Sequence, residues 1–439
     1  MADWEKDAPL IIERGEGNYL FDTEGRKYFD GVSSLWVNLF GHGRKEIDEA
    51  VRSQLDRVAH TTFLGLSHPP AIELAEKLLA VSPPGLSRVF YSDNGSTAME
   101  VAIKMAFQYW RQREGGAEAR REFLALSEAY HGDTIGSVSA GGIDLFHKIF
   151  RPLLFSVRRL PAPHCYRCPY GLSRPSCSLF CADRMEEEVR ARKEVLAAAI
   201  VEPLVQGAAG MLLMPEGYLA RLRAVTRECG VLLVCDEVAT GFGRTGTMFA
   251  CEQEGVSPDI MAVAKGMTGG YLPLAATLTT EEIYRAFLGG YEEFKTFFHG
   301  HSYTANPLGC AAAIATLSVF GREDVLPRVS RLAETMAFEL AKLSGHRNVG
   351  DIRQKGLMAG IEIVADKETR ERFPPERKVG QRVIRKVRDR GVILRPLGDV
   401  IVLMPPLSSS EEEIGALVRS AGWGIDAVLV GGGTLQHET

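Results

Sequence analysis

The chain has 439 residues, 45% of them hydrophobic and 24% charged. That is an ordinary globular composition, with length enough for a large domain and a smaller one. A net charge of −5 gives no electrostatic case for nucleic acid or an anionic membrane surface. The charged start "MADWEKDAPL" lacks the basic-then-apolar pattern of a secretory signal. The most apolar stretch, "VLAAAIVEPLVQGAAGMLLMP", is interrupted by Glu202, Pro203, Gln206 and glycines, so it reads as a buried strand and loop, not a membrane span. A cytoplasmic enzyme acting on small molecules is expected.

In chain order, "NYLFDTEGRKYFDG" reads as strand, turn, strand, with Glu24 and Gly25 in the turn. "RKEIDEAVRSQLDRVA" and "PPAIELAEKLLAV" carry apolar residues at helical spacing. "RVFYSDNGSTAMEVAIKMAFQYW" predicts a short strand, a Gly-Ser-Thr turn and a long helix. "REFLALSEAYHG", "VLAAAIVEPL", "VLLVCDEV" and "DIMAVAKG" predict further strands, with the helix "GYLARLRAVTREC" between two of them. This alternation predicts an α/β fold with a mostly parallel sheet covered on both faces. After about residue 315, "VGDIRQKGLMAGIEIVAD" and "GVILRPLGDVIVLMPPL" predict strands of a smaller α+β domain, and "VGGGTLQHET" a frayed tail. The expected division is 1–52 as an N-terminal segment packing with the small domain, 53–314 as the large domain and 315–439 as the small one.

Gly241, Gly243 and Gly246 have the G-x-G-x-x-G spacing of a dinucleotide loop. Five residues separate the strand end from Gly241, however, and "TMFACEQEGV" is a poor helix to follow Gly246. Phosphate binding needs free N–H groups at a helix start, so a nicotinamide dehydrogenase is a distant alternative. A better phosphate cradle is "SDNGSTAMEV". There Gly95 permits close backbone approach, Ser96 and Thr97 offer hydroxyls, and the helix points its positive end at the turn; a plain N-cap is the other reading.

Cys165, Cys168, Cys177 and Cys181 stand in "HCYRCPYGLSRPSCSLFC" with spacing C-x2-C-x8-C-x3-C. This resembles a structural zinc or iron–sulfur knuckle; the alternative is a surface insertion with reduced thiols. A non-catalytic metal-binding module is therefore a further alternative for the chain, although the chemistry below uses no metal. Cys229, Cys235, Cys251 and Cys310 have apolar neighbours and read as small core residues.

Lys265 follows an apolar strand and precedes small residues. Desolvation lowers a lysine pKa, and a neutral amine attacks an aldehyde to form a Schiff base. Asp236 ends the apolar run "VLLVCD", where an isolated buried carboxylate is costly and a cationic ring nitrogen is a natural partner. A lysine, an aspartate and an N-cap turn for a phosphate together suit pyridoxal 5′-phosphate.

With these residues assembled, the chain resembles the class III pyridoxal-phosphate aminotransferases over residues 9–425. The resemblance rests on "DGVSSLWVNLFGH", "AYHGDTIGSVS", "VEPLVQGAAGMLLMPEGYL", "DEVATGFGRTGTMFACE", "AKGMTGGYLPLAATLTT", "HGHSYTANPLGCAAA" and "LRPLGDVIVLMPP". "SSLW" and "LRPLGD" set it with the branch that aminates 8-amino-7-oxononanoate in biotin synthesis, apart from the ornithine and 4-aminobutyrate branches. The resemblance implies a fold-type I transferase acting as a homodimer with shared active sites, its amino donor S-adenosylmethionine or lysine. Lys265 would carry the cofactor and shuttle the proton, Asp236 would hold the ring nitrogen, and Tyr130 would stack on the ring. Gly95, Ser96 and Thr97 would hold the phosphate, joined across the dimer by Ser302, which stands where relatives usually have threonine. Glu202 would lie near the cofactor. Trp36, Asp133, Arg244 and Gly300 would shape the substrate pocket, and Arg395 would clamp the substrate carboxylate. Other class III activities, on amine–pyruvate, ornithine or lysine, are the nearest alternative.

Two departures stand out. Leu35 and Trp36 replace the two tryptophans of some members. Relatives also carry an aromatic-containing segment ahead of "PLIIE", whereas here Met1 stands eight residues before Pro9; an upstream extension is therefore expected.

Overall fold

The computed structural model describes residues 9–430 except 114, 117 and 118. The expected frayed tail and the segment before Pro9 lie outside the described residues. The chain divides into two compact units: Glu49–Pro327, and the chain up to Asp48 together with everything from Arg328 on.

The N-terminal part of the split unit opens with strands β1 (Ile12–Glu16), β2 (Tyr19–Asp22) and β3 (Lys27–Asp30), an antiparallel meander. The β2–β3 turn is closed by the Gly25 N–H donating to the Asp22 carbonyl at 2.9 Å. Asp22 then caps the turn, its carboxylate accepting from the Arg26 N–H and side chain. That guanidinium and the turn N–H groups hold the Asp22 carboxyl below its usual value against the opposing effect of burial.

The continuous unit is built on a seven-stranded sheet. Its strands are β4 (Leu86–Ser92), β5 (Glu122–Leu126), β6 (Arg158–Leu160), β7 (Leu196–Val201), β8 (Leu232–Asp236), β9 (Ile260–Val263) and β10 (Ala275–Thr280), in spatial order β4-β10-β9-β8-β7-β5-β6. Strands β9, β8, β7, β5 and β6 pair in parallel, while β10 runs antiparallel to both β9 and β4. Every residue of β7, β8 and β9 is buried, which is why they read as unbroken apolar runs and not as alternation.

Helix α1 (Gly95–Gln112) buries nine residues from Ala98 to Trp110; each large apolar side chain among them contributes roughly 1.5–3 kcal/mol. The alanines of β7 leave room for the Trp110 indole, whose N–H donates to the Ala197 carbonyl at 2.8 Å, so its one polar atom is satisfied. Helix α2 (Phe180–Arg192) packs beside α3 (Tyr218–Glu228), and α4 (Pro307–Arg322) lies on the helix Pro69–Val81. The expected boundary at 314/315 falls inside α4, whereas the large unit runs from Glu49 to Pro327.

The split unit resumes with β11 (Val349–Lys355), β12 (Met358–Ile363), β13 (Val392–Ile393), β14 (Arg395–Leu397) and β15 (Val400–Leu403), and the helices α5 (Val379–Val387) and α6 (Glu411–Leu429). One sheet has the order β11-β12-β15-β14, and β13 adds in parallel to β3. The N-terminal segment is tied in by the Met404 N–H to the Gly31 carbonyl at 2.9 Å and the Leu407 N–H to the Leu39 carbonyl at 2.7 Å.

Candidate active site

Five of the sequence-chosen residues converge at the carboxyl ends of the parallel strands, where open α/β sheets bind ligands. Lys265 begins a single 3-10 turn just after β9, with φ of +46°. A left-handed lysine costs roughly 1–2 kcal/mol, and strain of this kind persists where the surrounding fold enforces it. Protein packs densely around its amine. Burial pulls the ammonium below its ordinary value, the Arg244 charge pulls the same way, and the nearby Asp236 and Glu202 carboxylates oppose it.

Asp236 closes β8 and is 4% exposed. Its Oδ1 accepts the Val238 N–H at 3.1 Å, and its Oδ2 lies 2.7 Å from His131 Nδ1. Burial would discharge His131, but the hydrogen bond and charge of Asp236 outweigh it, so the imidazole is held above its ordinary pKa. His131 stands within the "YHGD" that supplies Tyr130 and Asp133, yet its role is not marked by local sequence. The available signal was that a buried carboxylate needs a cationic or donor neighbour. Glu237, likewise unmarked, is fully buried; it accepts from the Thr240 hydroxyl at 2.5 Å and the Cys251 N–H at 2.8 Å. It holds the loop that follows β8.

Glu202 follows β7. Its Oε1 accepts the Tyr130 N–H at 3.0 Å and its Oε2 the Gly207 N–H at 2.9 Å. Burial raises its pKa to about 7, Asp236 adds to the rise, and His131 and the two N–H groups pull against it. The Tyr130 hydroxyl donates to Asp133 Oδ2 at 2.8 Å, and its ring lies nearly parallel to that of His147. Asp133 itself is exposed.

Gly95, Ser96 and Thr97 form the first turn of α1. Asn94 caps it, accepting the Thr97 N–H at 3.0 Å. Both hydroxyls are already engaged: Ser96 Oγ accepts the Asp133 N–H at 3.0 Å, and Thr97 Oγ1 lies 2.8 Å from Asp93 Oδ1. What the turn offers an anion is its N–H groups and the helix dipole. The turn is close-packed. A Cβ on Gly132, whose φ is +118°, would sit 1.9 Å from Ser96 Oγ, and one on Gly95 would sit 2.6 Å from Val238 Cγ1.

The three glycines of the dinucleotide-like spacing do not open an α-helix. They build a folded loop in which Gly243 and Gly246 have positive φ and Arg244 is 1% exposed, so the nucleotide reading fails on geometry. Gly300 and Ser302 lie on an exposed turn closed by the Thr304 hydroxyl, whose oxygen accepts the His301 N–H at 3.1 Å. His301 approaches Asp93 at 3.9 Å, just ahead of α1. Trp36 and Arg395 belong to the other unit. Trp36 is buried in a stretch where Ser33, Ser34 and Trp36 all have positive φ, and Arg395 is exposed at the start of β14.

These residues fit pyridoxal phosphate. Asp236 keeps acceptor lone pairs beyond its two bonds for a protonated ring nitrogen, Lys265 offers an amine biased toward neutrality, and the capped turn of α1 offers N–H groups to a phosphate.

Residues 1–421 match the family described as aminotransferase class III. The chain is 57% identical over 428 residues to the adenosylmethionine-8-amino-7-oxononanoate aminotransferase of Nitratidesulfovibrio vulgaris, covering 98% of this chain and 79% of that one. The crystal structure of the enzyme of the same name from Methanocaldococcus jannaschii superposes with a TM-score of 0.93 at 45% identity, covering 98% of this chain and 95% of the other. An amine transaminase from an uncultivated Pseudomonas species, solved in its PLP-bound form, superposes with a TM-score of 0.92 at 37% identity, covering 97% and 96%.

Proposed function

The chain belongs to the class III aminotransferases, which are enzymes dependent on pyridoxal phosphate, and from that premise we propose that it converts 8-amino-7-oxononanoate to 7,8-diaminononanoate in biotin synthesis. The name shared by the Nitratidesulfovibrio vulgaris and Methanocaldococcus jannaschii relatives supports this substrate, and supports S-adenosylmethionine ahead of lysine as donor. The observation that carries the reading is the strained, half-buried Lys265 near the Asp236–His131 pair.

Pyridoxal phosphate, when bound, supplies an aldehyde that takes and returns the amino group and a ring that accepts electrons. Lys265 Nζ, favoured as the neutral amine, accepts and returns the substrate Cα proton. Asp236, fixed by His131 and the Val238 N–H, holds negative charge opposite the ring nitrogen without reorganising. Glu202 positions Tyr130 through its backbone N–H, and Tyr130 offers its face to the ring. The first turn of α1, with Gly95, Ser96 and Thr97, receives the phosphate.

Asp133, Arg244, Gly300 and Trp36 shape the pocket, and Arg395 takes the substrate carboxylate. The working enzyme is a homodimer in the cytoplasm, with Ser302 reaching the partner's phosphate site. The exposure of Ser302 beside the exposed Tyr303 and Phe298 supports the first point, and eight free cysteines suit a reducing compartment.

The test is a panel of acceptors and donors. Formation of the diamine from 8-amino-7-oxononanoate with S-adenosylmethionine, and at least about 100-fold lower kcat/KM with pyruvate or 2-oxoglutarate as acceptor, is the expected result. Preference for pyruvate would overturn the substrate assignment.

A further inference from the structure

The four clustered cysteines take no part in this chemistry. We propose that Cys165, Cys168, Cys177 and Cys181 form a structural zinc site that staples the loop between β6 and α2.

All four cysteines line one small cavity in the continuous unit. They come from two short arms. In the first, the Cys168 carbonyl accepts the Gly171 N–H at 3.1 Å. Gly171 has φ of +67°, so the chain reverses directly after the C-x2-C pair. In the second, the Cys177 carbonyl accepts the Phe180 N–H at 2.9 Å, α2 begins, and Cys181 falls in its first turn. A helix N-terminus favours a thiolate there. A tight turn and a helix start each bring a pair of cysteines to the lining of the same cavity.

The chemistry of the lining selects the metal. No carboxylate lines the cavity among the described residues, so a hard cation such as calcium or magnesium has no ligands. Pro163, Pro169, Leu172 and Leu179 give it an apolar rim. Four thiolates on one divalent ion leave a net charge of about −2. Arg174 lines the same cavity and bonds the Cys165 sulfur, which supplies the outer-shell countercharge. All four cysteines are free of disulfides.

The loop has reason to need a staple. No α-helix or strand is present between Leu160 and Phe180, and irregular runs of that length in a compact domain are uncommon. Among the described residues no three of the four sulfurs lie within 4.8 Å of one another. A tetrahedral set at about 2.3 Å from zinc brings sulfurs to about 3.8 Å, so binding draws the arms together. Arg221 fixes α2 through Glu186 at 2.6 Å and Asp183 at 2.8 Å, so the Cys181 end of the site is held in place.

The test uses the holoenzyme purified without chelator and analysed for metals. About one zinc per chain is expected, falling at least about tenfold in Cys165→Ser and Cys181→Ser with the visible cofactor band retained. Cobalt(II) added to chelator-treated wild-type protein should give sulfur-to-metal charge-transfer absorption, and the loop should be cleaved by protease at least about tenfold faster after zinc removal. Should either variant fail to fold, the cobalt spectrum of the wild type decides. Wild-type protein that holds less than about a tenth of an equivalent after incubation with excess zinc(II), that carries iron in its place, or that gives no thiolate–cobalt band overturns the proposal.

Discussion

Glu202→Gln is expected to change how stability depends on pH, and the size of the change follows from the site. Glu202 is 5% exposed, and burial lifts its pKa from 4.5 to about 7. Below pH 4.5 the carboxyl is protonated in both folded and unfolded chains and contributes no pH dependence. Between the two values the unfolded chain gives up its proton while the folded chain keeps it, so folding binds a proton and stability falls as pH rises. Above pH 7 both forms are ionised and the loss is complete. At 1.36 kcal/mol per pH unit, the interval corresponds to about 3 kcal/mol.

Glutamine keeps the shape but cannot ionise. It also leaves either the Tyr130 or the Gly207 N–H without its acceptor, at a cost of roughly 1–3 kcal/mol that does not vary with pH. The variant is therefore expected to be less stable than wild type at pH 5 and to gain on it by about 3 kcal/mol by pH 8. Urea unfolding of both proteins, with cofactor in excess, at pH 5, 6, 7 and 8 measures this directly. Wild-type and variant curves that stay parallel across that range would refute the burial argument, whatever their offset. His131, also raised in the folded state, has the same sign, so stability from its pairing with Asp236 is present below its unfolded value and lost as pH passes its folded one. It is common to both proteins and cancels to first order.

Lys265→Ala is expected to lower single-turnover amino transfer by at least about 10³-fold; near-normal turnover would mean another base moves the proton. Asp236→Asn should cost about 10²-fold or more in kcat/KM and destabilise the apoenzyme by about 3 kcal/mol, because buried His131 loses its anion; steady-state kinetics and urea unfolding check the two parts separately. Gly132→Ala places a Cβ 1.9 Å from Ser96 Oγ at a φ of +118°. It should weaken cofactor binding by about 30-fold or more, the equivalent of a strain near 2 kcal/mol, read by titrating the apoenzyme with pyridoxal phosphate. Tyr130→Phe removes the bond to Asp133 at 2.8 Å and should cost about 1 kcal/mol in kcat/KM, since the ring face remains; a loss beyond about 100-fold would make the hydroxyl a proton carrier.

What could be read from the sequence follows a physical line. Strands β7, β8 and β9 were legible because burial on both faces writes an unbroken apolar run, and a charge at the end of such a run is conspicuous. Asp236 and Lys265 stand out in that way. The α1 N-terminus was legible because the cap, the turn glycine and the helix are contiguous. Strand β10 carries no decisive pattern: "AATLTT" is short and made largely of small residues, and its antiparallel place between β4 and β9 is a decision of the whole sheet. His131 was not recognised for a related reason. It meets Asp236 across 105 positions of chain, because β5 and β8 both flank β7, and no local spacing records that adjacency. The boundary near residue 315 was misplaced because α4 is apolar with small residues along its length, so its composition carries no mark of where the large unit ends.

The positive φ of Lys265 is the sharpest case. The sequence offers Gly266 directly after it, and glycine is the cheaper residue to place in a left-handed position. Putting the strain on the lysine has a local cost with no return in packing. A fixed direction for that one side chain fits the role proposed for it, and local propensity cannot express such a requirement.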